Sequence, residues 1–174
     1  MSIIKYISFP RELEPFYLLG PKGQEEKFGI DISKPTPWEI DIFIMDKRDA
    51  VFNDCFKNSF IYGYSLILSE DYYDQRNAIS QKNLENETKR QELELLHQKG
   101  LNLRDQTLYN FLNKILSLGE FVEIYTTWHD HINFNFGPPT TERTMSLEEI
   151  LTTTAQEDAP DFDTSRKLTI CKTK

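Results

Sequence analysis

The sequence predicts an α+β domain: a mostly antiparallel sheet, with a helical hairpin inserted between strands and packed on one face. Three observations predict it. Apolar, β-branched and aromatic runs of strand length recur along the chain, at residues 3–9 (IIKYISF), 38–45 (WEIDIFIM), 59–69 (SFIYGYSLILS), 121–128 (FVEIYTTW) and 166–174 (RKLTICKTK). Between the third and fourth of them the composition turns polar and helical over about residues 80–118. Proline and glycine punctuate the rest and keep the connections short.

Residues 3–9 stop at Pro10 and read as a strand. Pro15, Gly20, Pro21 and Gly23 break the next stretch into turns, with FYLL as a short strand or a helical turn. In residues 38–45, Trp38, Ile40, Ile42 and Ile44 alternate with Glu39, Asp41 and Phe43, so one face is dry and the other mostly wet. Glu39 and Asp41 share the wet face, as an acid/base pair in a cleft or as solubilising charge. Residues 59–69 form the most apolar stretch and read as a central strand. Residues 70–79 read as a turn.

The first predicted helix covers residues 80–98, with thin apolar content (Leu84, Leu93, Leu95, Leu96), so it protrudes or packs by one end. Gly100 reads as its stop, and Asn102 with Asp105 resembles a capping box. The second helix runs to about Leu118, with Leu108, Phe111, Leu112, Ile115 and Leu116 in one stripe for the sheet. Gly119 ends it. On the next strand Val122, Ile124, Thr126 and Trp128 share one face, and both faces are largely apolar. Phe134 and Phe136 alternate with Asn133 and Asn135. Ser146 with Glu149 is a capping box for a short helix, SLEEILTT. Residues 154–165 form an acidic loop, and the last residues return to a strand at the sheet edge.

With 174 residues the chain makes one domain, residues 1–174, large enough to fold on its core alone. Cys55 and Cys171 have no CxxC spacing, so free thiols in a reducing cytoplasm are expected, without a disulfide or a zinc site. Lys5, Arg11 and Glu12 interrupt any leader-like apolar run, and no stretch is long enough to span a bilayer, so no membrane partner is expected. The net charge of −8 opposes nucleic acid and anionic surfaces and favours a basic protein partner or solubility.

Two constellations carry candidate chemistry. In His129-Asp130-His131, two histidines at i and i+2 of an extended chain point to one side and can ligate one metal, with Glu123, Glu39 or Asp41 as a third ligand. The alternative is a polar hairpin loop, and no HExxH, GxSxG or glycine-rich phosphate motif accompanies it. Residues 147–164 carry Glu148, Glu149, Glu157, Asp158, Asp161 and Asp163 with no Lys or Arg, and Phe162 sits between two aspartates. An acidic segment with an embedded aromatic suits a basic protein surface: the carboxylates steer association and the ring anchors it.

A small acidic domain with the aromatic strands FIYGYSLIL and FVEIYTTW and the stretch EDAPDFD resembles the bacterial immunity proteins of contact-dependent growth inhibition and related polymorphic toxin systems. The resemblance is one of overall character. It implies a cytoplasmic antitoxin that is not an enzyme, has no cofactor, and pairs its carboxylates with the Lys and Arg of a cognate nuclease toxin. The contacts it implies are Glu157, Asp158, Asp161, Phe162 and Asp163, then Glu148 and Glu149. Two other classes remain open: a metal-dependent hydrolase using His129 and His131, and an adaptor subunit binding through the polar helix.

Overall fold

The computed structural model describes residues 2–13, 16–18, 40–47, 55–68, 70–129, 138–153 and 164–174. It is α+β, as the sequence predicts. The strands are β1 (Ser2–Phe9), β2 (Phe16–Leu18), β3 (Ile40–Lys47), β4 (Phe60–Leu68), β5 (Phe121–His129), β6 (Thr141–Ser146) and β7 (Ser165–Cys171). Two helices, α1 (Glu70–Gln81) and α2 (Asn86–Ile115), lie between β4 and β5, and a 3₁₀ turn (Glu148–Leu151) follows β6. One sheet has the order β2-β3-β4-β1-β5-β7-β6. Every pairing is antiparallel except β6 with β7.

Period-two alternation sorts the side chains of the central strands onto two faces. Ile7 and Phe9 of β1, Tyr62 and Tyr64 of β4, Val122 and Ile124 of β5, Leu168 and Ile170 of β7 and Met145 of β6 join one core. Helix α2 closes it with Leu108, Phe111 and Leu112, all fully buried, and the 3₁₀ turn adds Ile150. Burying each such side chain contributes about 1.5–3 kcal/mol. Phe9 sits at the centre, edge-on to Tyr62 at 5.9 Å and to Phe111 at 6.1 Å. On the opposite face Tyr6, Ile61 and Tyr125 pack with Cys55 and Phe56.

The carboxyl end of α2 is held by cations from both chain ends. Arg11 donates to the Ile115 carbonyl, and Lys172 Nζ donates to the carbonyls of Asn113 at 2.7 Å and Leu116 at 3.0 Å. These bonds satisfy carbonyls the helix leaves open and place positive charge at the negative end of its dipole.

Four sequence expectations are corrected. Gly100 does not stop a helix: it is buried within a single helix that runs from Asn86 to Ile115. Asn102 and Asp105 therefore lie mid-helix and cap nothing. The hairpin break falls at residues 82–85, and the stretch read as a turn before it is α1. The terminal strand β7 is not at the edge but between β5 and β6. The strand β6, which has a mixed polar sequence, carries that edge instead. The capping box at Ser146 and Glu149 forms reciprocally: Ser146 N–H donates to Glu149 Oε2 at 2.6 Å, and Glu149 N–H to Ser146 Oγ at 3.3 Å. Trp38 and Glu39 and the strand-like residues 132–136 lie outside the described residues.

Candidate functional site

The acidic residues singled out in the sequence divide into two sets. Glu157, Asp158, Asp161, Phe162 and Asp163 lie outside the described residues. Glu148 and Glu149 open the 3₁₀ turn, where Glu148 is half-buried and Glu149 exposed. The turn exists because Leu147 and Ile150 drop into the core while the Ser146–Glu149 box ties its first residues. The backbone N–H and hydroxyl of Ser146, with Arg143 nearby, hold the Glu149 carboxyl below its ordinary pKa.

Against this turn lies α2. Gln98, Asn102, Asp105 and Gln106 of the helix and Ile150, Leu151, Thr152 and Thr153 of the turn line an open groove of about 330 Å³. The helical members follow at i, i+4, i+7 and i+8, so they share one face. Leu151, 47% exposed, stands on the rim beside the two glutamates. Sequence reasoning missed the helical wall because it divided α2 at Gly100. The amide-rich spacing of Gln98, Asn102 and Gln106 was the available signal.

The metal reading loses one of its ligands. Glu123 is fully buried, and its Oε2 accepts from Ser8 Oγ at 3.2 Å, Lys57 N–H at 2.7 Å and Asn58 N–H at 3.1 Å. Its Oε1 stands 3.7 Å from Lys167 Nζ. Glu123 thus anchors the segment that precedes β4 rather than facing an open site. It is also six residues from His129 along one strand, about 20 Å, too far to share an ion with it. His129 is the last residue of β5, opposite Ser2, and His131 lies outside the described residues. Asp41 is in β3, its backbone paired with Ile67. Among the described residues no group of three or more His, Cys, Asp or Glu converges as a metal site. Cys55 is buried and Cys171 half-buried, and neither is in a disulfide. No helix among the described residues is long and apolar enough to cross a membrane.

A second charged cluster, unremarked in the sequence, lies between α2 and the sheet. Lys5 and Arg166 both stand opposite Thr126 of β5, one from each neighbouring strand. Burial, with the positive charges of Arg104 and Arg166 nearby, lowers the Lys5 ammonium from 10.5 to about 8, against the pull of Asp105.

Comparison of the chain with protein families, with curated proteins and with solved structures finds no match in any of the three.

Proposed function

We propose that this protein is a binding module that neutralises a basic protein partner: an immunity protein for a nuclease toxin domain. The observation that supports this reading best is the 3₁₀ turn whose end lines the α2 groove. There Glu148, Glu149 and the exposed Leu151 follow within four residues on one ordered turn, in a chain of net charge −8. An apolar anchor flanked by carboxylates is the arrangement that captures a Lys- and Arg-rich surface: the charges accelerate encounter and the apolar contact slows release. A nuclease presents such a surface because it must hold phosphates. Glu157, Asp158, Asp161, Phe162 and Asp163 follow directly in the chain and would extend the same acidic character.

The test is titration of the purified chain with a candidate cognate nuclease toxin domain, at about 50 mM and 300 mM salt. Tight binding that weakens with salt and abolishes nuclease activity supports the reading. Absence of binding at low salt overturns it.

A second reading, an adaptor subunit, draws on the α1–α2 arm. Tyr73, Leu84 and Leu95 are exposed there at 44%, 37% and 66%. Lys82–Glu92 and Lys89 to the Ser80 carbonyl hold the two helices together, so the arm is a formed surface. Leu95→Glu abolishing partner binding while Glu148→Gln leaves it intact would favour the arm over the groove.

A further inference from the structure

The α2 groove carries a pattern that the acidic turn does not use. Gln98, Asn102 and Gln106 stand four residues apart on its helical wall, and each is exposed. Gln98 Nε2 donates to Asn102 Oδ1 at 3.0 Å, and Gln106 Nε2 donates to Asn110 Oδ1 at 3.1 Å. A side-chain amide has two N–H donors and an oxygen with two lone pairs. These bonds therefore orient the amides and still leave a second N–H and the carbonyl oxygen on Gln98 and Gln106, and both N–H groups on Asn102. Four residues of helix rise about 6 Å. An extended chain repeats every two residues, about 6.6–6.8 Å. Amides at this spacing meet successive main-chain groups along one edge of an extended peptide, and the row offers both donors and acceptors to them. The facing wall is fixed as well. Ile150 is buried in the core, and the N–H groups of Thr152 and Thr153 donate to the Glu149 carbonyl at 3.1 and 2.8 Å. Leu151, Thr152 and Thr153 are exposed along that wall. The space between the walls, about 330 Å³, is that of a small cleft. No Lys or Arg lines it, and Glu148 and Glu149 lie on the same turn. Asp105 is 4% exposed and already acts on Lys5, so the surface offered to a ligand is that of the neutral amides and the threonines.

We propose that this groove takes an extended, basic segment of the partner protein, gripped through its backbone by Gln98, Asn102 and Gln106 and drawn in by Glu148 and Glu149. The inference rests on the reading of the protein as a module for a basic partner, and names how that partner enters. The amides meet main-chain N–H and C=O groups, so they tolerate many side chains. Selectivity comes from charge: lysine and arginine side chains at the mouth meet the two glutamates, and acidic side chains meet repulsion. Both walls are packed into the core before a ligand arrives, so little ordering opposes binding.

The test uses the full chain at about 50 mM salt and an acetylated, amidated hexapeptide of alternating valine and lysine. Nitrogen–proton correlation spectra follow the side-chain amides of Gln98, Asn102 and Gln106 and the backbone amides of Leu151, Thr152 and Thr153. Saturable shifts at both walls are expected. Asn102→Ala and Gln106→Ala should each weaken the peptide about threefold to tenfold, the worth of one hydrogen bond. Alanine at these exposed helical positions keeps the fold, because it is the better helix former. Gln91→Ala, an amide of α2 outside the groove, should leave the affinity as it is. The same peptide with alternate backbone nitrogens methylated keeps its charge but loses main-chain donors, and should bind about tenfold more weakly or worse, as should a valine–glutamate peptide. Equal binding of either control, or unchanged affinity in the Asn102→Ala/Gln106→Ala double variant, would overturn the proposal. So would shifts scattered over the acidic surface, which mark charge attraction alone, or no saturable shift. A chain that inhibits its nuclease but shows no groove shifts keeps the immunity reading and loses this one. Groove shifts in a chain that binds no nuclease lose the immunity reading and keep the peptide site.

Discussion

Ser8 and Glu123 stand directly opposite each other across β1 and β5, and the Ser8 hydroxyl donates to Glu123 Oε2 at 3.2 Å. The same oxygen receives the backbone N–H groups of Lys57 and Asn58, while Asn58 Nδ2 donates to the Phe121 carbonyl at 3.0 Å. One buried carboxylate thus fastens the entry of β4 to the middle of the sheet. Glu123→Ala would leave the Ser8, Lys57 and Asn58 donors without their acceptor and take away one of the two carboxylates beside the Lys167 ammonium, at a cost of about 3 kcal/mol or more. Lys167→Met removes a 3.7 Å ion pair with Glu123, a 3.3 Å pair with the exposed Glu142 and a weak bond to the Cys55 carbonyl, and should cost less. Urea midpoints of the two variants and their double mutant measure both the order and the coupling.

The Lys5 ammonium predicts a pH dependence of stability. Its folded pKa, about 8, lies below the ordinary 10.5 because of burial, with Arg104 and Arg166 adding repulsion and Asp105 opposing it. Between those values the unfolded chain holds the proton more strongly than the folded chain. Stability therefore rises as pH climbs from about 8 to 10.5, by about 3 kcal/mol from this group. Below pH 8 both states are protonated and the full cost is present. Lys5→Met should raise the denaturation midpoint at pH 7 and flatten the alkaline rise. A parent and variant with parallel stability–pH curves would show that Lys5 is not responsible.

Those two residues also mark what the sequence could and could not disclose. Alternation in β5 correctly announced a strand covered on both sides, and the stripe Leu108, Phe111, Leu112 correctly announced the face that α2 lays on the sheet. Neither pattern says that Glu123 is buried, because its partners are 65, 66 and 115 positions away in sequence. Likewise Lys5 and Arg166 meet only through the register of both strands with Thr126. Gly100 misled because a glycine that ends an isolated helix can also be accommodated inside one when tertiary packing outweighs its local cost of about 1 kcal/mol. The true break at residues 82–85 contains no glycine or proline to announce it. The Ser146–Glu149 box was legible because its whole signal is local.

Gly119 supplies a prediction of pure backbone strain. Its φ is +84°, and a Cβ added there would meet nothing within 4 Å. Its N–H donates to the Lys172 carbonyl at 2.8 Å, and Lys172 N–H returns to Glu120 at 2.9 Å. Gly119→Ala should destabilise by about 1 kcal/mol through the left-handed conformation alone. Gly119→Asn, a residue that tolerates this region better, should recover part of the loss. Equal midpoints for glycine and alanine would contradict the strain.

The groove rim offers a prediction that separates binding from folding. Glu149 both faces solvent and caps the turn through Ser146, so Glu149→Gln changes partner contact and turn geometry together. Its depressed pKa means that the cap contributes above the ordinary carboxylate pKa and is lost as pH falls through the lower folded value. Glu148 makes no such capping bond among the described residues, and Leu151 is 47% exposed. Glu148→Gln and Leu151→Ser should therefore leave the denaturation midpoint within about 0.5 kcal/mol of the parent. If the turn carries the partner, Glu148→Gln should slow association most at low salt, and Leu151→Ser should speed release at every salt concentration. Stopped-flow association and dissociation rates with the toxin domain check both. Rates unchanged in both variants would move the interface off this turn.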